Sequence, residues 1–204
     1  MNLLRCVVLV LASCCAALGA QVPVTLTGRI EVAPSGACDP SATHRVACTD
    51  ILLRSSTVNL GTFAGRLVDL RASTVSTGAC NLLEVTEIAN AANATTTTSL
   101  GGYRLGSTVI FTTPAPVGAL VPYFWSTSPG FLPVGEFGSL QLNPLTNFLY
   151  WSTDISVTIA VRSVRIPNDP ILVGQIALFQ TGLVTVTPEI SFKLLNAGCF
   201  EIRN

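Results

Sequence analysis

Ile166-Pro167-Asn168-Asp169-Pro170-Ile171-Leu172-Val173-Gly174, in the last quarter of a 204-residue chain, is the stretch whose reading decides the fold. Each proline fixes φ at about −65° and drives the residue before it, here Ile166 and Asp169, out of helical space, so a preceding strand must stop. Aspartate is a strong N-cap and proline is tolerated at the first helical position. The spacing therefore predicts one short helical turn, with Asp169 as cap, Pro170 at N1 and Gly174 as exit, followed by a new strand over residues 175–180. In this reading Asp169 reverses the chain between two strands, which gives it a structural job.

On both sides of the turn the chain is strand-like. Short apolar runs at 107–112, 120–125, 140–142, 148–151, 155–161, 175–180, 183–187 and 190–195 are separated by glycine, proline and asparagine. The clearest sets Ile155, Val157, Ile159 and Val161 against Ser156, Thr158 and Arg162. Strands at this spacing predict an antiparallel, immunoglobulin-like β-sandwich over residues 101–204. Residues 91–100, rich in Asn, Ala and Thr, have no apolar period and are expected to be an exposed linker. Asn93-Ala94-Thr95 within it has the form of a glycosylation sequon, which matters only in a host that uses it.

Residues 21–90 read as a second, smaller β domain. Val22, Val24, Leu26, Ile30 and Val32 alternate with Thr25, Thr27, Arg29 and Glu31, the pattern of a half-buried strand. Gly28 falls on the apolar side, where a glycine lets a strand coil as small barrels require. A proline-containing loop is expected over residues 33–49, then runs at 51–54 and 67–72. A Ser/Thr/Gly turn at 73–78 precedes a last run over 82–88, in which Ile88 falls out of phase with Leu83 and Val85.

Composition narrows the address. Charged residues make up 11% of the chain and the formal net charge is zero. Acids and bases are scattered singly, which excludes an electrostatic footprint for nucleic acid and a polybasic membrane patch. Met1 to Arg5 is a short positive segment, an apolar segment begins at Cys6, and Ala16-Ala17-Leu18-Gly19-Ala20 supplies the small residues of a signal-peptidase site. Residues 1–20 are thus expected to be a signal peptide cut near Ala20, giving a secreted or cell-surface protein. Its apolar run is shorter than the about 20 residues that a membrane-spanning helix needs, and no later stretch qualifies.

A lipoprotein box at Leu11-Ala12-Ser13-Cys14 is the rival, but acylation at Cys14 would strand Cys15 as an odd thiol. Cleavage near Ala20 leaves an even set, Cys38, Cys48, Cys80 and Cys199, suited to disulfides in an oxidising compartment. Four cysteines allow three pairings, and sequence does not choose among them. Closeness in the chain favours Cys38 with Cys48, leaving Cys80 with Cys199. The spacings do not fit a structural zinc site, in which ligand cysteines come two to four residues apart.

Leu26-Thr27-Gly28-Arg29-Ile30, then Leu60, Phe63, Gly65, Val68 and Leu70, then Cys80-Asn81, Leu83, Val85 and Ile88 form a pattern that resembles the small OB-fold modules of secreted bacterial proteins. The resemblance implies a five-stranded barrel in which the Phe63–Gly65 turn leads into the third strand. In the second half, Leu105-Gly106-Ser107, the quoted proline turn, Gln180 and Leu195-Asn196 are similar to a C-terminal β-sandwich module of secreted bacterial proteins, to which no activity is assigned. The chain departs from that module in ending with Gly198-Cys199-Phe200-Glu201-Ile202, so Cys199 is expected to tie back to Cys80.

No catalytic constellation emerges. His44, the single histidine, has no triad or elbow motif beside it and is expected to be a surface loop residue. Glu136, Asp154, Asp169, Glu189 and Glu201 are isolated, no acidic loop resembles a calcium site, and no cofactor is expected. OB folds commonly bind oligonucleotides or oligosaccharides. Single-stranded nucleic acid needs stacking aromatics, however, and the first half offers only Phe63, so no nucleic-acid partner is expected. Aromatics crowd the second half, where Trp125 and Phe131 are the candidate ligand contacts of a glycan platform and core packing is the competing role. The expected function is that of a secreted, non-enzymatic structural or adhesion-type protein, whose partner would be a glycan or another surface protein. The alternative is a glycan-binding module using the OB face or the Trp125 loop.

Overall fold

The computed structural model describes residues 22–76, 80–91, 96–146, 148–186 and 189–204. The expected signal peptide, the alternative acylation site at Cys14 and the sequon at Asn93 lie outside the described residues. The chain is all-β: a closed five-stranded barrel followed by two antiparallel sheets packed face to face.

The barrel comprises β1 (Pro23–Val32), β2 (His44–Val46), β3 (Ile51–Arg54), β4 (Leu67–Ser76) and β5 (Asn81–Asn90). Its order, β1-β2-β3-β5-β4 and back to β1, with β3 parallel to β5, is that of an OB-like barrel. Val24, Leu26, Ile30, Val46, Ile51, Leu53, Val68, Leu70, Leu83 and Val85 fill its core. β1 pairs with β4 as far as Arg29 and with β2 from Ile30, so one strand serves two walls. Gly28 sits at that changeover: a Cβ there would lie 2.6 Å from Val46 Cγ1, closer than any side chain tolerates. Ile88 falls out of phase because Thr86 is an extra residue between the pairs Arg71–Glu87 and Ala72–Val85, a β-bulge.

The expected loop over residues 33–49 hides β2, which three residues are too short to announce by periodicity. The Phe63–Gly65 turn consequently leads into the fourth strand, through a 3₁₀ turn at Leu60–Phe63 capped by Asn59. β4 also runs on to Ser76, through part of the turn expected at 73–78. His44 is no surface loop residue. It opens β2, pairs with Val32 and Leu53 and is buried at 8% exposure, because closing the barrel covers both sides of that strand.

The second unit has β6 (Thr98–Gly101), β7 (Thr108–Pro114) and β12 (Ile159–Arg165) in one sheet, ordered β12-β7-β6. Opposite it lie β8 (Leu120–Ser126), β11 (Leu149–Ile155), β13 (Ile176–Thr185) and β14 (Ser191–Glu201), ordered β11-β8-β13-β14. Three strands against four is the immunoglobulin-like arrangement. Phe111 is the centre of the sandwich core, with the rings of Tyr123, Trp125, Trp151, Phe179 and Phe200 within 6.5 Å of it.

The proline turn forms as its residues dictate. Asp169 Oδ1 accepts the Ile171 N–H at 3.1 Å, Pro170–Leu172 make a single 3₁₀ turn, and Gly174 leaves it at φ +80°. The alternating run 155–161, in contrast, is two strand ends joined by a turn. Thr158 has φ +137°, and buried Ser156 ties the turn to residues 115–119 through its backbone and hydroxyl. Ile155, Val157, Ile159 and Val161 all face solvent while Ala160 faces the core, so the period is right and the phase inverted.

The expected linker also belongs in part to the sandwich. Thr97 is buried, exchanges hydrogen bonds with Asn196 at 2.9 and 3.1 Å, and bonds the hydroxyls of Thr113 and Thr181. A run of threonines has no apolar period, but its hydroxyls can satisfy one another inside a sheet pair.

The barrel and sandwich are fastened together. The hairpin of β9 (Pro129–Pro133) and β10 (Ser139–Leu142) sits between them. From it Gln141 Nε2 donates to Thr27 O at 3.0 Å, Ser139 Oγ donates to Thr25 O at 3.0 Å, and Phe131 packs on the barrel core. Gln180, fully buried, anchors the hairpin to the sandwich: its amide donates to Ser139 O and Leu195 O and its oxygen accepts the Gln141 N–H at 2.8 Å.

The disulfides are Cys38–Cys80 and Cys48–Cys199, which corrects the favoured pairing. Cys38 and Cys48 are neighbours in sequence, but β2 stands between them and carries them to different places. The loop before β2 folds onto β3 and β5, where Ser41 meets Arg54 and Cys80 immediately precedes β5. The turn after β2 places Cys48 against β14.

Candidate functional site

An apolar cavity of about 400 Å³ opens at one end of the sandwich, between the two sheets and beneath the proline turn. Its position follows from the sequence. Pro167 and Pro170 bar the chain from continuing β12, so residues 167–175 arch across the end of the sandwich instead of filling it. Val109, Trp125, Ala177, Phe200 and Ile202 line the interior, from both sheets. Ile171 and Ile176 form an apolar rim, 75% and 53% exposed. Arg165, on the last residue of β12, is the one charged lining group, and no ion pair holds it among the described residues.

The two sequence candidates are separated by this geometry. Trp125 lines the cavity and packs edge-on against Phe111 and Phe200, at 6.5 and 5.7 Å between ring centres. Phe131 lies on the hairpin and closes the barrel core. They share no surface. A separate aromatic group beside β8 and β11 combines half-buried Phe124 and Phe148 with exposed Tyr150, and Phe137 with Phe192 forms another partly exposed pair. Phe124 and Phe148 stack at 5.7 Å with planes 18° apart, and Tyr150, 56% exposed, stands 6.3 Å from Phe124. Their signal was present in the sequence, since Phe124 and Tyr150 precede Trp125 and Trp151 by one residue and alternation turns such neighbours to opposite faces.

The barrel face next to β2 and β3 carries no exposed aromatic among the described residues. Leu52 and Leu82, paired across β3 and β5 outside the barrel core, are buried, and the loop tied to Cys80 and to Arg54 lies on this side. The Arg54 guanidinium hydrogen-bonded to Glu84 at 2.7 Å, with help from the Ser56 N–H, holds that carboxyl below its ordinary 4.5. Asp39 is likewise held below 3.8 by the hydroxyl and N–H of Ser41. Burial alone pushes His44 below 6.5, and burial pushes the Tyr123 phenol above 10.0.

A second, polar cleft of about 490 Å³ lies where the barrel meets the sandwich. Its charges are largely committed: Asp69 accepts from Thr27 and faces Lys193 at 3.9 Å, and Arg71 pairs with Glu87 at 3.4 Å. Among the described residues no three His, Cys, Asp or Glu gather as a metal site, and no helix is long and apolar enough to cross a membrane. His44 reaches only Thr43 with its Nδ1, and none of Glu136, Asp169, Glu189 and Glu201 forms an ion pair among the described residues.

The fold and these sites define a disulfide-bonded, all-β chain of two docked units. Compared with family models, curated proteins and solved structures, it matches none.

Proposed function

We propose that the chain is a secreted, non-enzymatic adhesion-type or structural protein, of bacterial origin as its resemblances imply, which acts at the cell surface or outside the cell. One observation carries the reading: two units with separate hydrophobic cores are fastened together by Cys48–Cys199 and by hydrogen bonds through Gln141 and Ser139. Such fastening suits a part that bears load or presents a surface at fixed geometry, and disulfides persist in oxidising compartments. Expression with residues 1–20 in place, followed by fractionation and non-reducing electrophoresis, tests it. Oxidised protein outside the cytoplasm that loses residues 1–20, and binding of protein-coated beads to cells or matrix, are the expected results. Retention in the cytoplasm with free thiols, or turnover of a substrate by the purified protein, would refute the proposal.

A glycan-binding role is the second reading, favoured by the group of half-buried Phe124 and Phe148 with exposed Tyr150. Planar rings of this kind present apolar faces to sugar rings. A glycan array on which the purified chain binds, with the signal lost in Tyr150→Ala and kept in Phe131→Leu, would support it. An empty array would remove it.

A further inference from the structure

We propose that the cavity beneath the proline turn binds the hydrocarbon chain of a single-chain anionic amphiphile, such as a fatty acid, with the headgroup at Arg165. Three features of the cavity converge on this ligand class, and none depends on the adhesive role.

The interior comes first. Val109, Ala177, Phe200 and Ile202 are buried, and Trp125 supplies an indole face, so the cavity offers apolar contact on several sides. Ligand sites of about 300–1,000 Å³ with mainly apolar walls and a few polar groups are the usual form of small-molecule pockets. Apolar voids bind apolar guests readily because water inside them lacks hydrogen-bond partners.

The rim is the second feature. Ile171 and Ile176 are held in solvent at the entrance, with Asp169 and Gly174 fixing the turn that displays Ile171. Exposed isoleucines at a cavity mouth extend the apolar path outward, as a long chain requires and a small compact guest does not. Charge is the third. Arg165 is exposed, lines the cavity and forms no ion pair among the described residues, so a carboxylate beside it gains a charge-assisted hydrogen bond. Gln175, another polar lining residue, can serve the same headgroup.

Trp125 supplies the readout. Below the critical micelle concentration, ω-bromododecanoate is expected to quench the emission of the purified chain saturably, and unlabelled dodecanoate to relieve the quenching. Trp125→Phe should abolish most of the effect, since Trp151 does not line the cavity. Arg165→Ala, at an exposed position that leaves folding intact, should weaken dodecanoate about tenfold, about 1.4 kcal/mol, while leaving dodecanol unchanged. Dodecyltrimethylammonium should bind more weakly than dodecanoate.

Absence of quenching would overturn the proposal. So would equal loss of dodecanoate and dodecanol affinity in Arg165→Ala, or binding of the cation as tight as that of the acid. A second copy of the chain is the competing occupant: a dimer by sedimentation that Ile171→Glu dissociates, with no dodecanoate bound, would also overturn it.

Discussion

Removing Cys48–Cys199 should destabilise the protein more than removing Cys38–Cys80, and the difference follows from chain length. The first link spans 151 residues and the second 42. In the chain-entropy model a cross-link removes loop-closure freedom from the unfolded chain as the logarithm of loop length, giving about 5 kcal/mol for the longer ring and about 4 kcal/mol for the shorter. Because Cys48 lies inside the 38–80 segment, the rings overlap, and with Cys38–Cys80 intact the path from Cys48 to Cys199 is shortened only slightly. The figure for the longer link therefore stands.

Cys48→Ser with Cys199→Ser should consume much of the stability of an ordinary domain, about 5–15 kcal/mol. It also removes the disulfide that ties β14 to the barrel, leaving the Gln141 and Ser139 bonds, the Phe131 packing and the Lys193–Asp69 pair to hold the units together. Guanidinium denaturation of the two double-serine variants, followed by tryptophan emission for the sandwich and far-ultraviolet dichroism for the whole, measures both losses. The Cys48/Cys199 variant should show the lower midpoint and transitions that no longer coincide between probes. Non-reducing peptide mapping of the parent supplies the independent check. A peptide linking Cys38 to Cys48 would refute the pairing, and a larger loss in the Cys38/Cys80 variant would refute the loop-length reasoning.

Asp169→Ala should cost about 1 kcal/mol by removing the cap on Ile171, read as a lower melting temperature with the fold retained. Gly28→Ala should cost about 1–3 kcal/mol, because the added Cβ meets Val46 and β1 must shift at its changeover; an unchanged denaturation midpoint would mean that Val46 moves aside. Burial lowers the His44 pKa below its unfolded value of 6.5, so the folded state takes up its proton less readily than the unfolded one. His44 therefore contributes stability that is present above pH 6.5 and lost as pH falls toward the folded pKa, a slope that His44→Gln should remove. Glu84, held below 4.5 by Arg54, adds a separate loss at lower pH that Arg54→Met should diminish.

Local signals were the most legible part of the chain. Two prolines and a capping aspartate leave the 166–174 stretch almost no freedom, and it forms the expected turn. β3 appears at Ile51–Arg54 as the apolar run implies, and the single phase error at Ile88 corresponds to one extra residue at Thr86. Features set by closure and docking were not legible. β2 has three residues and owes its place to the walls on either side, so neither it nor the burial of His44 leaves a periodic trace. The disulfide pairing depends on which way two loops leave β2, and closeness in sequence is a poor guide once a strand separates two cysteines.

Alternation is blind to direction, and this matters most for the candidate sites. Ile155, Val157, Ile159 and Val161 keep a strict period of two, yet a turn joins two strands within the run, and the register of β12 against β7 puts Ala160 inside and Ile159 and Val161 out. The same ambiguity governs the aromatic pairs. Phe124 and Trp125, like Tyr150 and Trp151, are adjacent, so one of each pair must enter the core and the other must leave it. The tryptophans enter because Phe111 stands opposite them, across the sheets, and edge-to-face contacts among large rings fill that space. Their neighbours, half-buried Phe124 and exposed Tyr150, are turned outward by the same constraint. One packing decision at Phe111 thus sets both surfaces, turning Trp125 toward the apolar cavity and leaving the smaller rings as the outer aromatic group. Phe111→Ala is expected to cost about 3–5 kcal/mol and to loosen the cavity wall, while the stacking of Phe124 on Phe148, which lies on the other face, should persist.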